Sequence, residues 1–258
     1  MFKAFYRFLV SLSINPKLIR KSIKGWPYFR RDLSKIRAQL KGNNDFQIAF
    51  LYPILRERFE ESGILGHYFY EDLTTAQRIF ENNPLKHVDV GSRVDGFVAH
   101  VATFREIEVF DIRPQSVQIK NIKFVVADFT NISPDLHNYT DSLSSLNVIE
   151  HFGLGRYGDP IDVDGHLKGL DNMYKVLKKD GKFYFSTPIG PQRIEFNAHR
   201  VFSVAYLLKI FEPLYTIDRF SFIDDKGGLH QQVPLDPEKV KTNFGVRLGF
   251  GIFEMTKK

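Results

Sequence analysis

No cysteine occurs among the 258 residues. This excludes disulfides, thiolate zinc sites, cysteine-ligated iron–sulfur clusters and a cysteine nucleophile, and it fits a reducing compartment. A membrane-crossing helix needs roughly 20 consecutive apolar residues, and no such run is present. The short apolar stretch 8–14 contains two serines and leads to no small-residue cleavage site, so it does not read as a signal peptide. A phosphate-binding G-K-[S/T] loop is also missing. What remains is a globular composition, 43% hydrophobic and 26% charged, which excludes wholesale disorder and leaves ample material for a core.

Acidic residues are scarce at the start. Residues 1–45 hold eleven Lys/Arg against Asp32 and Asp45, a net charge of +9, while the rest of the chain is net −3. Phe2, Phe5, Tyr6, Phe8, Trp26, Tyr28 and Phe29 are interleaved with these bases. Such a basic aromatic arm suits an anionic membrane face, a nucleic acid or an acidic glycan carrier, or it packs its aromatics on the body. The expected location is cytoplasmic, with peripheral contact at the inner membrane face through 1–45.

Two domains are expected, a helical extension over 1–45 and an α/β domain over 46–258. The extension reads as basic helices broken near Pro16 and Pro27, with a joint at Asn43, Asn44 and Asp45. Residues 46–83 read as helical, turning at 62–63 and 65–66. Strands are then expected at 87–90, 106–111, 123–127, 142–148, 182–186, 215–223 and 246–255. Helices are expected at 97–104, 165–178 (with Asp164 as N-cap and an end at Asp180-Gly181) and 201–211. This alternation implies a mostly parallel, Rossmann-like sheet of seven strands with the last strand antiparallel, a cofactor core at about 84–190, and acceptor-side elements over 191–258 that include a closing hairpin of the two final strands.

In such sheets ligands sit beyond the carboxyl ends of the strands. The first strand end reads Asp89-Val-Gly91-Ser92-Arg93-Val-Asp-Gly96, where the glycines permit a tight turn and close backbone approach. Asp111 ends the second strand, 20 residues after Gly91, and suits a ribose diol. Asp128 and Phe129 follow the third strand, an acid for an adenine amino group and an aromatic for its ring. With Ile112 and Asn147 these residues form the expected adenosine-cofactor set. The dinucleotide fingerprint fails at this turn, because Arg93 stands two residues after Gly91.

These pieces resemble the class I S-adenosylmethionine-dependent methyltransferases, over roughly residues 70–258. The resemblance rests on the turn at 89–96, Asp111, Asp128, the segment 146–151, the segment 177–181 and the terminal hairpin. The stretch 147–160, Asn-Val-Ile-Glu-His-Phe-Gly-Leu-Gly-Arg-Tyr-Gly-Asp-Pro, is similar to a little-characterised branch. That branch is a domain of unknown function described from nematodes and found among bacterial surface-glycan genes. One departure is that Arg93 replaces the middle glycine of the family turn, where it would crowd the methionine part of the cofactor or contact its carboxylate.

The resemblance implies S-adenosyl-L-methionine as cofactor and a reaction centre at the end of the fourth strand. His151 is the candidate base, because imidazole titrates near neutrality, and Glu150 would orient it. Arg156, Tyr157, Asp159, Asn197, His199 and Arg200 would read a sugar or glycan hydroxyl, on an acceptor that is lipid-linked or anionic. His67 and Tyr68 would cover the cofactor. No metal is expected, because Asp159, Asp162 and Asp164 lead into a helix that favours acids by itself. Two other readings stay open: an RNA methyltransferase, and a non-catalytic cofactor-binding subunit of a glycan assembly complex.

Overall fold

The computed structural model describes residues 15–41, 46–60 and 66–258. The expected joint at 43–45, the turn at 62–63 and the aromatic residues 2–8 lie outside them. The chain divides into two compact units, Met1–Ile64 and Leu65–Lys258. The charge boundary at 45/46 falls inside the first.

In the first unit, α1 (Pro16–Gln39) is one continuous helix. Pro16 occupies the first turn, where its missing N–H costs nothing, and Asn15 accepts a hydrogen bond from Lys17 N. Pro27 does not break the helix as expected. Contacts with the following segment hold the turns around it: Gly25 lies against the Leu55 carbonyl, and Tyr28 meets Phe59 edge-on. Residues 46–55 are not helical either. Pro53 interrupts the run, and only Glu57–Phe59 forms a single 3₁₀ turn. Among the described residues, no helix is long and apolar enough to cross a membrane.

The second unit opens with α2 (His67–Asn82), then β1 (His87–Val90), a π-turn at Val94–Val98 and the short α3 (Ala99–Ala102). There follow β2 (Ile107–Asp111), β3 (Ile122–Val126), β4 (Thr140–Leu146), α4 (Gly165–Val176) and β5 (Leu177–Ile189). A hairpin of β6 (Arg193–Glu195) and β7 (His199–Val201) leads to α5 (Val204–Phe211), β8 (Tyr215–Ile223), β9 (Leu229–His230), α6 (Pro237–Lys241) and β10 (Gly249–Lys257).

The main sheet runs β3-β2-β1-β4-β5-β10-β8-β9. The first five strands are parallel, and β10 is antiparallel to both neighbours. This is the expected architecture with one addition, the two-residue edge strand β9. The expected helix end at Asp180-Gly181 is instead a bulge inside β5. Strand β5 already pairs at Leu177 with Thr140, and the register jumps before Lys182 meets Ser142. The helix expected from residue 201 starts at Val204, capped by the Ser203 hydroxyl. Asp164 stands at the N-cap of α4 without a side-chain capping bond.

Both sheet faces are buried, which suits parallel strands. Val88 and Val90 face the larger core with Phe110, Leu143, Phe183 and Met173. On the other face, Ile79, Phe97, Val101 and Val109 pack together. A polar seam runs through that second face between β1 and β4. His87 Nδ1 and Nε2 lie 2.7 and 3.1 Å from the Ser142 and Ser144 hydroxyls, and Ser144 Oγ donates to Asp89 Oδ1 at 2.6 Å.

Candidate active site

The carboxyl ends of β1, β2 and β4 open into a pocket. It continues into a wider cleft, and both share Gly91, Asp111, Arg113, Asn147, His151 and Tyr157. The break in the sheet order places them there, because β2 and β4 lie on opposite sides of β1.

The β1 turn is built from inside. Gly91 has φ +70°, and a Cβ there would stand 2.7 Å from Val148 Cγ1. Asp89 is fully buried beneath the turn. Its Oδ2 accepts from Ser92 N at 2.9 Å and its Oδ1 from Ser92 Oγ at 2.6 Å, while Ser92 Oγ accepts from Leu146 N. Burial lifts the Asp89 pKa to about 6. Asp89 therefore fastens the turn and does not line the cleft as expected. Gly96 also serves packing, because a Cβ there would collide with the Asp72 carboxylate. Arg93 does line the cleft, but its guanidinium pairs with Asp95 at 2.8 Å and stands 4.9 Å over the Tyr68 ring.

Asp111 stands at the end of β2, and Arg113 already grips its carboxylate through Nε and Nη2. Ile112 lines the same pocket with an exposed side chain. Asp128 Oδ1 accepts from Thr130 N and Oγ1, and Oδ2 takes no part in that turn. The Phe129 ring, expected to stack on a ligand, is buried edge-on against Phe110 in the core, so only its margin reaches the pocket.

Two buried carboxyls stand at the cleft, Glu150 in its lining and Glu71 behind Asn147. Asn147 has φ +55° and its amide nitrogen donates to Glu71 Oε2. Glu71 is wholly buried, and desolvation raises its pKa well above the usual value. Glu150 accepts from Thr187 Oγ1 at 3.4 Å, and burial pushes it up to about 8. Glu150 is therefore protonated near neutrality.

His151 ends the 3₁₀ turn Ile149–His151 after β4. Its Nδ1 lies 2.7 Å from the Ala198 carbonyl, which only accepts, so Nδ1 carries the proton. Nε2 keeps its lone pair, 3.8 Å from Glu150 Oε1. Burial first, and the Arg156 charge second, hold the imidazole down to about 4, so it is neutral at pH 7. Arg156 Nη1 donates to the same carbonyl at 2.8 Å. The Tyr157 ring stands edge-on to His151 at 5.6 Å, with the guanidiniums of Arg113 and Arg156 at 4.5 and 5.3 Å from its centre.

Three expected acceptor residues serve other purposes. Asp159 lines the smaller pocket, but its carboxylate organises its own loop, accepting from Gly153 N, Gly155 N and Tyr157 N. Arg200 is buried and donates to the carbonyls of Glu150, Phe152, Asp162 and Val163. Asn197 is exposed in the β6–β7 turn, apart from the cleft lining. His199 does line the cleft, 3.9 Å from Glu195, with its pKa lowered by burial. His67 and Tyr68 stand at the mouth, and His67 stacks on Phe250 at 3.7 Å. Among the described residues, no group of three or more His, Asp or Glu is placed to hold a metal ion.

Sequence reasoning missed Arg113, Glu71 and Phe250. Asp111 and Arg113, two apart at a strand end, carried the signal of a local ion pair. Glu71 and Phe250 carried none. The spacing G-x-G-x-x-G does occur, at residues 153–158, but it lies in the Asp159-held loop well before α4 begins.

A family model described as "Caenorhabditis protein of unknown function, DUF268" matches residues 98–241. No curated protein matches the chain. Similar solved structures include the 1,6-didemethyltoxoflavin-N1-methyltransferase of Burkholderia thailandensis, with bound 1,6-didemethyltoxoflavin and S-adenosylhomocysteine. It is 15% identical with a TM-score of 0.50, over 72% of this chain and 78% of that one. The N-methyltransferase NodS of Bradyrhizobium japonicum WM9, in complex with S-adenosylhomocysteine, is 12% identical with a TM-score of 0.49, over 74% and 88%. The first likeness shows the fold, that of the class I methyltransferases.

Proposed function

The chain belongs to the DUF268 family, and from its cleft we propose an S-adenosyl-L-methionine-dependent O-methyltransferase acting on a sugar or glycan hydroxyl. One observation carries the reading: an apolar slot between two carboxylates runs directly into a histidine whose free nitrogen is defined. The slot is walled by Phe110, Ile112, Ala127 and Val148, with Asp111 and Asp128 at its polar points. These residues fit an adenosine. Asp111 would take the ribose hydroxyls, Asp128 Oδ2 the adenine amino group and Ile112 a face of the ring.

When bound, the cofactor supplies an electrophilic methyl group on a sulfonium. This chain's part is to hold the acceptor in line and to remove its proton. His151 Nε2 takes that proton, while the Ala198 carbonyl keeps Nδ1 protonated and the ring oriented. Buried, protonated Glu150 lies beside the same nitrogen. Arg156, Tyr157 and His199 form the rim that would read the acceptor. A glycan acceptor, lipid-linked in the fullest form of the proposal, rests on the resemblance of residues 147–160 to the surface-glycan branch and on this hydroxyl-friendly rim.

Calorimetry and thermal unfolding with S-adenosylhomocysteine, S-adenosylmethionine and NADH test the first step. At about 100 times its dissociation constant a ligand adds roughly 2.7 kcal/mol, a midpoint rise on the order of 5–10 °C. A rise with the two S-adenosyl compounds alone, clearly reduced in Asp111→Asn, is the expected result. No binding of either compound overturns the proposal.

A further inference from the structure

The first unit presents a surface that the cleft does not use. On α1, Ile19, Ile23 and Trp26 follow one another at helical spacing, and all three are exposed, Ile23 by 68%. The segment after the helix repeats the pattern, with Phe50 78% and Tyr52 75% exposed and Leu51 and Ile54 also open. This segment is not loose chain. Gly25 packs under the Leu55 carbonyl, Tyr28 meets Phe59, Arg58 reaches Asp32 at 2.5 Å, and Lys21 reaches Glu60 at 3.3 Å. Those four fasteners hold one side of it on the helix, while the large apolar side chains of 50–54 face outward.

Charge says what would cover them. Exposed Arg20, Lys24, Arg30, Arg31, Lys35 and Arg37 lie on the same helix, whose one acid, Asp32, is already shared by Arg31 and Arg58. Cations beside exposed apolar groups match an anionic lipid surface, where side chains enter the acyl boundary and bases meet phosphate. A nucleic acid would use the bases and could stack on Phe50 or Tyr52, but it has no use for Ile19, Ile23, Leu51 or Ile54.

We infer that the unit formed by α1 and residues 46–60 docks on anionic lipid headgroups, with Phe50, Tyr52 and Ile23 inserted.

The full chain, incubated with phosphatidylcholine vesicles with and without about one-third phosphatidylglycerol, tests this. Trp26 is the sole tryptophan, so its fluorescence reports directly on this unit. The expected result is co-sedimentation with the anionic vesicles only, a blue shift of Trp26, and weakening in high salt. Neutralising Arg20, Lys24 and Arg30 to Gln should lower partitioning on the order of a hundredfold, and Phe50→Ser with Tyr52→Ser on the order of tenfold or more. The wild-type Trp26 shift needs no variant, so misfolding of a mutant does not decide the question. Absence of vesicle binding, displacement of bound vesicles by single-stranded RNA, or a stable dimer dispersed by Phe50→Ser would each overturn the inference.

Discussion

Arg113 closes on Asp111 through both carboxylate oxygens: Nε donates to Oδ1 at 3.0 Å and Nη2 to Oδ2 at 2.7 Å, and the Arg113 backbone N–H adds a third bond at 2.8 Å. A ribose diol needs the same two oxygens. If Asp111 takes the ribose hydroxyls as proposed, cofactor binding is an exchange, guanidinium for hydroxyls, rather than a filling of free acceptors.

The first prediction follows from that exchange. Arg113 is 54% exposed, so its pair with Asp111 is well screened and worth at most about 1 kcal/mol. Removing the competitor in Arg113→Gln should tighten S-adenosylhomocysteine binding about two- to fivefold. Asp111→Asn should weaken it roughly ten- to a hundredfold, because one charged acceptor is lost. Calorimetry on both variants decides. Weaker binding in Arg113→Gln would make Arg113 a direct cofactor contact and end the competition argument.

The second concerns His151. In the proposed mechanism its neutral form is the base, and burial with the Arg156 charge keeps the pKa near 4. The neutral form thus persists as pH falls through 6.5, and the acid limb of the kcat profile should appear near 4. Arg156→Gln removes one of the lowering charges and should move that limb upward. His151→Gln should cost about 10²- to 10⁴-fold in kcat with cofactor affinity unchanged. Full turnover in His151→Gln would remove the base assignment.

Glu150 makes a prediction about stability. Its folded pKa, about 8, lies above the ordinary 4.5. Between those values the folded chain keeps a proton that the unfolded chain has released, so stability falls as pH rises through this window and levels above it. Glu71 is shifted in the same direction and steepens the decline. His87, held near 3 by burial, acts on the other side, losing stability as pH drops below about 6.5. Glu150→Gln keeps an acceptor for Thr187 without the titration. Its stability relative to wild type should improve between pH 5 and pH 8, on the order of a few kcal/mol. Parallel denaturation midpoints for the two proteins across that range would refute this.

Much of the frame was readable from the residues. The strands at 87–90 and 215–223 match expectation, because continuous or alternating apolar runs between turn signals leave little choice of state. The misread places are those where tertiary contacts override local preference. Pro27 stays inside α1 because Gly25 and Tyr28 are held by the following segment, and Asp180-Gly181 bulges within β5 because Leu177 already pairs with Thr140. At the site, residue types were legible but bonding partners were not. Asp89, Gly96, Asp159 and Arg200 have the chemistry of ligand contacts, yet each is committed to its own backbone or core neighbours. Glu71 comes from a helix far along the chain, and no local pattern places it under Asn147.

Arg200 separates a binding role from a structural one. Four carbonyls, those of Glu150, Phe152, Asp162 and Val163, accept from its two terminal nitrogens, and the residue is only 5% exposed. Those carbonyls bracket the loop that carries His151, Arg156 and Tyr157, so the guanidinium sets the loop's shape from beneath. Arg200→Met would leave several buried acceptors unpaired, at a cost of about 3–5 kcal/mol. For a unit of this size that lowers the melting midpoint by roughly 10 °C or more. Arg200→Lys restores one point charge but cannot reach four acceptors in a fork, so it should recover only part of the loss. If Arg200 instead read the acceptor, both variants would melt like wild type and raise only KM. Melting curves therefore distinguish the roles before any acceptor is known.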